Sequence, residues 1–251
     1  MAVGRILVNG VIMALELALV GAVSWLGYTQ PIAFAILTLI LTLALGLVLE
    51  RARLNFELPF YFGAALPGRG LLVPVVAVLE AVLKSALGGL VALMTFAGTE
   101  PGRLWWIALA FGLTVWAGAS LLRWLAISFS ATVGRWGYFR LAAVLGVIYA
   151  ILMALLTEAR LIHQPTLGEI GRRIIFETPE RPGIGQVSEL LFQVKLYIDG
   201  VIVALLGTML PPEWARIVGV VVSVNVLTGF VAAIYALVVA KLVLTLEEWN
   251  G

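Results

Sequence analysis

The sequence predicts an all-α fold, a polytopic bundle of transmembrane helices, on three observations. Apolar residues make up 62% of the 251 and charged residues only 12%, about half the usual soluble share. The apolar residues gather into segments that meet or approach the ~20 residues a helix needs to cross a hydrocarbon core about 30 Å thick. The connections between those segments are mostly short and rich in proline and glycine, which form turns.

The first segment covers about residues 5–28. Its start, "MAVGRILVNGVIMALELALVGAVSW", has Arg5, an apolar run and then Ala22-Val23-Ser24, the outline of a signal peptide. The run is too long for one and Glu16 interrupts it, so a retained first helix is expected. "YTQP" turns the first hairpin and Pro31 opens the second segment, 31–49. The stretch 50–70, "ERARLNFELPFYFGAALPGRG", reads as a loop with room for structure of its own. The third segment, 71–96, leads through the compact "GTEPGR" into the fourth, 103–128, and the fifth spans 137–157.

The second long loop is 158–189. Thr166 and Glu169 resemble a capping box that would start a short helix. Leu167, Ile170 and Ile174 then share one face while Glu169, Arg172 and Arg173 project elsewhere, and Pro179 and Pro182 end it. The expectation is an amphipathic interfacial helix, with a helix packed under a soluble partner as the alternative. The sixth segment, 190–210, holds Lys195 and Asp199 and ends at "PPEW"; the seventh covers 216–243.

Residues 1–251 thus read as a single integral membrane domain of about seven spans. Six crossings plus a re-entrant or tilted segment is the alternative. Seven spans put the termini on opposite sides. Weighting the early positive charges Arg5, Arg51, Arg53 and Arg69 places the amino terminus inside. The expected location is a bacterial-type inner (plasma) membrane, with membrane lipids as the first partners.

Composition also excludes chemistry. Zero cysteines rule out disulfides, thiolate-bound zinc, iron–sulfur clusters and a thiol nucleophile. One histidine, His163, rules out a bis-histidine haem or a multi-histidine metal site within the chain. No phosphate-binding loop, dinucleotide fingerprint or zinc motif is present, so no cofactor or metal is expected. A net charge of +2 is too small to argue for nucleic acid. The serines of "LAISFSATVG" have no base nearby, and Glu57, Glu158, Glu169 and Glu177 are scattered, so no catalytic residue is nominated. Trp105, Trp106, Trp124 and Trp136 fall near predicted helix ends, as an interfacial aromatic belt requires. "SALGGLVA" permits close helix contact.

The charges inside apolar segments carry the functional reading. Glu80 with Lys84, and Lys195 with Asp199, stand four residues apart, on one helical face and within pairing distance. Each isolated charge at mid-bilayer costs at least ~2.5–3.5 kcal/mol, which pairing offsets. Glu16 has no basic residue within a turn, so it is either protonated or paired across helices, with Lys84 or Lys195 as candidates. Arg123 lies nearer an interface and can snorkel, and Arg172 and Arg173 belong to the interfacial loop.

The leading expectation is a membrane-embedded subunit of a larger assembly, its ion pairs serving helix packing or the docking of other subunits or a second copy. The alternative is a channel or secondary transporter with Glu16, Glu80 and Asp199 as ion or proton stations. A lipid-processing membrane enzyme comes third.

Overall fold

Helices form where the apolar runs lie, and in places well beyond them. The computed structural model describes residues 2–63, 69–96, 101–162, 168, 170, 172 and 184–249. Along these run α1 (Ala2–Thr29), α2 (Pro31–Phe62), α3 (Arg69–Thr95) and α4 (Pro101–Phe129). There follow α5 (Val133–Phe139), α6 (Leu141–Glu158), α7 (Ile184–Met209), α8 (Pro212–Val222), a 3-10 turn (Val224–Leu227) and α9 (Thr228–Trp249). No strand occurs among the described residues. Seven helical stretches are long and apolar enough to cross a membrane, which suggests an integral membrane protein. Their outer faces carry exposed side chains such as Ile40, Val48, Val75 and Leu83, a continuous apolar surface that lipid would cover.

Three boundaries differ from the sequence expectation. First, Glu50–Phe62 is not a loop, because α2 continues through it. Arg53 bridges Glu50 at 3.2 Å and Glu57 at 3.3 Å, one turn in each direction, and such pairs support a polar helical turn. Leu54 and Leu58 bury themselves against Val73 and Ala77 of α3. The helix stops at Gly63, whose φ of 77° suits a residue without a side chain. Second, the fifth segment is two helices, α5 and α6, joined at Arg140. Third, the seventh segment breaks at Ser223, where ψ is 144° and the chain leaves α8 before α9 begins.

Of the expected surface helix, residues 168, 170 and 172 are described and helical. Ile170 is buried while Gly168 and Arg172 are exposed. Glu169, Arg173 and His163 lie outside the described residues.

The helix directions follow from residues in contact. Ser24 of α1 lies against Gly112 of α4 while Glu16 reaches Arg123, so these two helices are antiparallel. Gly118 of α4 meets Leu145, and Leu122 meets Gly137, which makes α4 antiparallel to α5–α6. On α9, Val226 just before its start lies on Gly146, Leu237 on Gly137 and Lys241 near Gly134. Rising numbers on α9 thus meet falling numbers on α5–α6. It follows that α9 runs opposite to α1, and the start of α1 and the end of α9 occupy the same end of the bundle. This differs from the opposite-side expectation. The cause is the α7–α8 pair, a hairpin with Val203 facing Gly219, which adds no net crossing between α6 and α9.

At the centre stands α9. Residues Val231 to Leu237 are all buried, and a helix apolar on every side belongs inside a bundle. Around it Phe34, Phe96, Phe111 and Tyr235 form an aromatic cluster, with Phe34 centred 4.9 Å from Phe96 and 5.1 Å from Tyr235. The Tyr235 hydroxyl meets Thr38 at 2.9 Å, which satisfies its polar end within the core.

Candidate functional site

The polar side chains inside this apolar bundle fall into three separate groups. Near the end of α4, the Arg123 guanidinium binds Glu16 of α1 at 2.5 Å and also Glu247 of α9. Ser120 adds a longer hydrogen bond to Glu16 at 3.4 Å. Glu16 is 3% exposed; of the two alternatives it takes the pairing across helices, with Arg123 as its partner in place of either lysine. Arg123 does not simply snorkel outward; it ties three helices together.

A second group joins α2 and α3. Glu80 accepts from Arg53 at 2.5 Å, and Lys84 pairs with Glu50. Glu50 is fully buried. The rings of Tyr138 and Phe139 in α5 sit over the Lys84 ammonium at 5.5 and 5.3 Å, a cation–π arrangement. The expected pair within α3, Glu80 with Lys84, is therefore replaced by two pairs that cross to α2. The i,i+4 rule sees only neighbours on one helix; here the adjacent helix offers opposite charges at shorter reach. Glu50 and Arg53 were missed because the apolar run stops at Leu49, although "ERARLNFE" carries helical charge spacing.

The third group surrounds a cavity of about 440 Å³ between α4, α6, α7 and the α8–α9 break. That volume is within the usual range for small-molecule sites. Asp199 of α7 faces the break. Its carboxylate accepts from the Val224 amide at 2.6 Å, the Ser223 hydroxyl at 3.0 Å and the Asn225 side chain at 3.4 Å. Backbone amides freed by a helix break need acceptors, and Asp199 with Ser223 supplies them; Ser223 also accepts from the Asn225 amide at 3.0 Å. The break is thus built into the fold.

Lys195, one turn earlier on α7, lines the same cavity. The expected Lys195–Asp199 ion pair does not form, because the aspartate is turned to the broken helix. Lys195 is 4% exposed, and Phe192 lies 5.9 Å from its ammonium. The Arg103 guanidinium also stacks on that ring, 3.8 Å from its centre. The Tyr149 side chain of α6, also lining the cavity, is fully buried, and its hydroxyl has no hydrogen-bond partner among the described residues. Sequence reasoning missed Arg103, Tyr149, Ser223 and Asn225. The polar pair in "VVSVNV" was the one available signal.

The expected stations Glu16, Glu80 and Asp199 therefore belong to three different groups, and of the three Asp199 lines this cavity while Glu16 and Glu80 do not. Arg172 is exposed, and Arg173 lies outside the described residues. Among those residues no three histidine, aspartate or glutamate side chains converge as a metal site would require. Fold and site define a helical bundle of membrane-spanning proportions with a polar cavity at a broken helix. Comparison with family models, curated proteins and solved structures finds no match to the chain.

Proposed function

We propose that the chain is an integral membrane protein that binds a polar solute in the α6–α7–α9 cavity, a carrier or secondary transporter in class. The observation that carries this reading is the interrupted helix at Ser223 facing a cavity that contains a buried lysine. Irregular backbone inside a membrane domain is tolerated where it lines a cavity, and discontinuous helices build substrate sites in transporters. The ion pairs of Glu16, Glu80, Lys84 and Arg123 serve helix packing, since each is spent on a partner within the chain.

Filling the cavity tests this reading. A ligand that binds only the folded protein raises its melting midpoint, by the equivalent of about 2.7 kcal/mol at a hundred times its dissociation constant. Some solutes in a chemically broad screen should raise the midpoint of the detergent-purified chain. Ala154→Trp, on the cavity wall, should abolish those shifts. A filled variant that keeps every shift would remove the cavity from the function.

A subunit role in a larger assembly is the second reading. It draws on the end of α2, where Phe56, Phe60, Tyr61 and Phe62 are all more than 60% exposed, an apolar patch suited to a neighbouring chain. Stoichiometric co-purification of a second membrane protein, lost on Phe60→Ser, would support it.

Topology gives an independent check on insertion. Reporter fusions at Met1 and Gly251 are expected on the same side of the membrane, because α1 and α9 run in opposite directions. Opposite sides would require α7 and α8 to add a net crossing.

A further inference from the structure

Resting on the cavity reading, we propose that the ligand is an amphiphilic anion, its carboxylate or phosphate oxygens seated between Lys195 and Tyr149 and its apolar body along α6, α7 and α8. Lys195 is a residue only 4% exposed, and its ammonium makes neither an ion pair nor a hydrogen bond among the described residues. The Tyr149 hydroxyl, fully buried, has no partner there either. Both residues line one cavity, and both side chains carry donors. Buried donors without acceptors are costly, and a buried charge more so. One anionic oxygen group accepts from both.

The other charges on the wall, Asp199 and Glu158 against Arg103, are engaged within the chain. Asp199 also faces the cavity, but its oxygens already accept from Ser223, Val224 and Asn225, so an incoming cation would compete with the helix break. Arg103 and Glu158 complete the charged lining and have interactions of their own. Apart from Thr95, Thr157 and the Ser223–Asn225 turn, the rest of the wall is apolar, with Ile107, Met153, Val203 and Val220. Such a wall gives a hydrocarbon body a place to lie. The oxygens could belong to a free amphiphilic acid or to the headgroup of an anionic phospholipid.

Decanoate, decanol and decyltrimethylammonium share a chain and differ in the head, so their binding to the maltoside-purified full chain separates the cases. Decanoate should bind tightest. Lys195→Met should weaken it about 10- to 100-fold and Tyr149→Phe about 2- to 10-fold, the ranges for a charged and a neutral hydrogen bond. The Met variant, which removes an unpaired buried charge, should melt no lower than wild type without ligand. If it fails to fold, Tyr149→Phe still tests the site.

A parallel arm compares phosphatidylglycerol with phosphatidylcholine by native mass spectrometry. Phosphatidylglycerol retained by wild type and lost in Lys195→Met, with decanoate silent, would identify the lipid as the source. Decanol or the ammonium binding as well as decanoate, or decanoate binding unchanged in both variants, would overturn the anion assignment and leave the cavity reading standing. No binding by any of the five probes would overturn the anion assignment, and the solute screen with Ala154→Trp would then decide the cavity reading by itself.

Discussion

Gly229→Ala is expected to collapse the packing that holds the helix break in place, at a cost at or above the upper end of the ~1–3 kcal/mol usual for overpacking. A Cβ at position 229 would fall within 3.0 Å of the Gly146 amide nitrogen, the Gly146 Cα and the Ala142 carbonyl oxygen, all of them backbone atoms. A flexible side chain can swing away from an added methyl group, whereas two helices can only separate. Gly146→Ala should behave alike, since its Cβ would meet the Val226 carbonyl. Gly21→Ala is the control, because nothing lies within 4 Å of that position. There the alanine should gain up to ~1 kcal/mol from helix propensity. The readouts are the melting midpoint and the monodisperse fraction in mild detergent. Because Val226 and Gly229 flank the turn that Asp199 caps, ligand-induced shifts should vanish with the fold. A Gly229→Ala protein that melts with the Gly21→Ala control would mean that α6 and α9 do not approach at their backbones.

What the sequence revealed and what it concealed follow one physical division. Length and apolarity are local properties, so the long helices were legible, including α9, whose unbroken run from Val231 to Leu237 suits a fully buried position. The end of α2 is not legible from apolarity, because the apolar run stops at Leu49 while the helix continues. In fact Glu50, Arg53 and Glu57 stand at the spacing that extends one. Pairing between helices was not legible at all. Glu16 and Arg123 are 107 residues apart, and only the antiparallel packing of α1 and α4 brings them together. The break at Ser223 was half legible, since serine and asparagine interrupt an apolar run there. Its meaning depends on Asp199 arriving from another helix. The same is true of the cavity. The spacing of Lys195 and Asp199 marks them as partners; the structure turns the aspartate to the broken helix and leaves the lysine on the cavity wall with Tyr149. With Asp199 engaged at the break, Lys195 and Tyr149 form a donor set in place of a neutral ion pair.

The charge cluster between α2 and α3 gives the second large effect. Glu50→Leu removes a fully buried carboxylate and leaves Lys84 without its ion-pair partner. Breaking a buried pair by deleting one member typically costs ~3–5 kcal/mol, and a loss of that order in detergent stability is expected. Adding Lys84→Met should recover most of it, since an apolar pair of similar volume often replaces a buried ion pair at no net cost. Glu80→Leu should be milder on its own, because Arg53 keeps Glu50 and Glu57 within 3.3 Å. Combining Glu80→Leu with Lys84→Met should then give no recovery, since it also takes from buried Glu50 one of its two cationic partners. The helical spacing of Glu80 and Lys84 makes the opposite forecast, recovery in that second double mutant and none in the first. The two cycles therefore decide between pairing along α3 and pairing across to α2, and recovery in Glu80→Leu/Lys84→Met alone would return the pair to one helix.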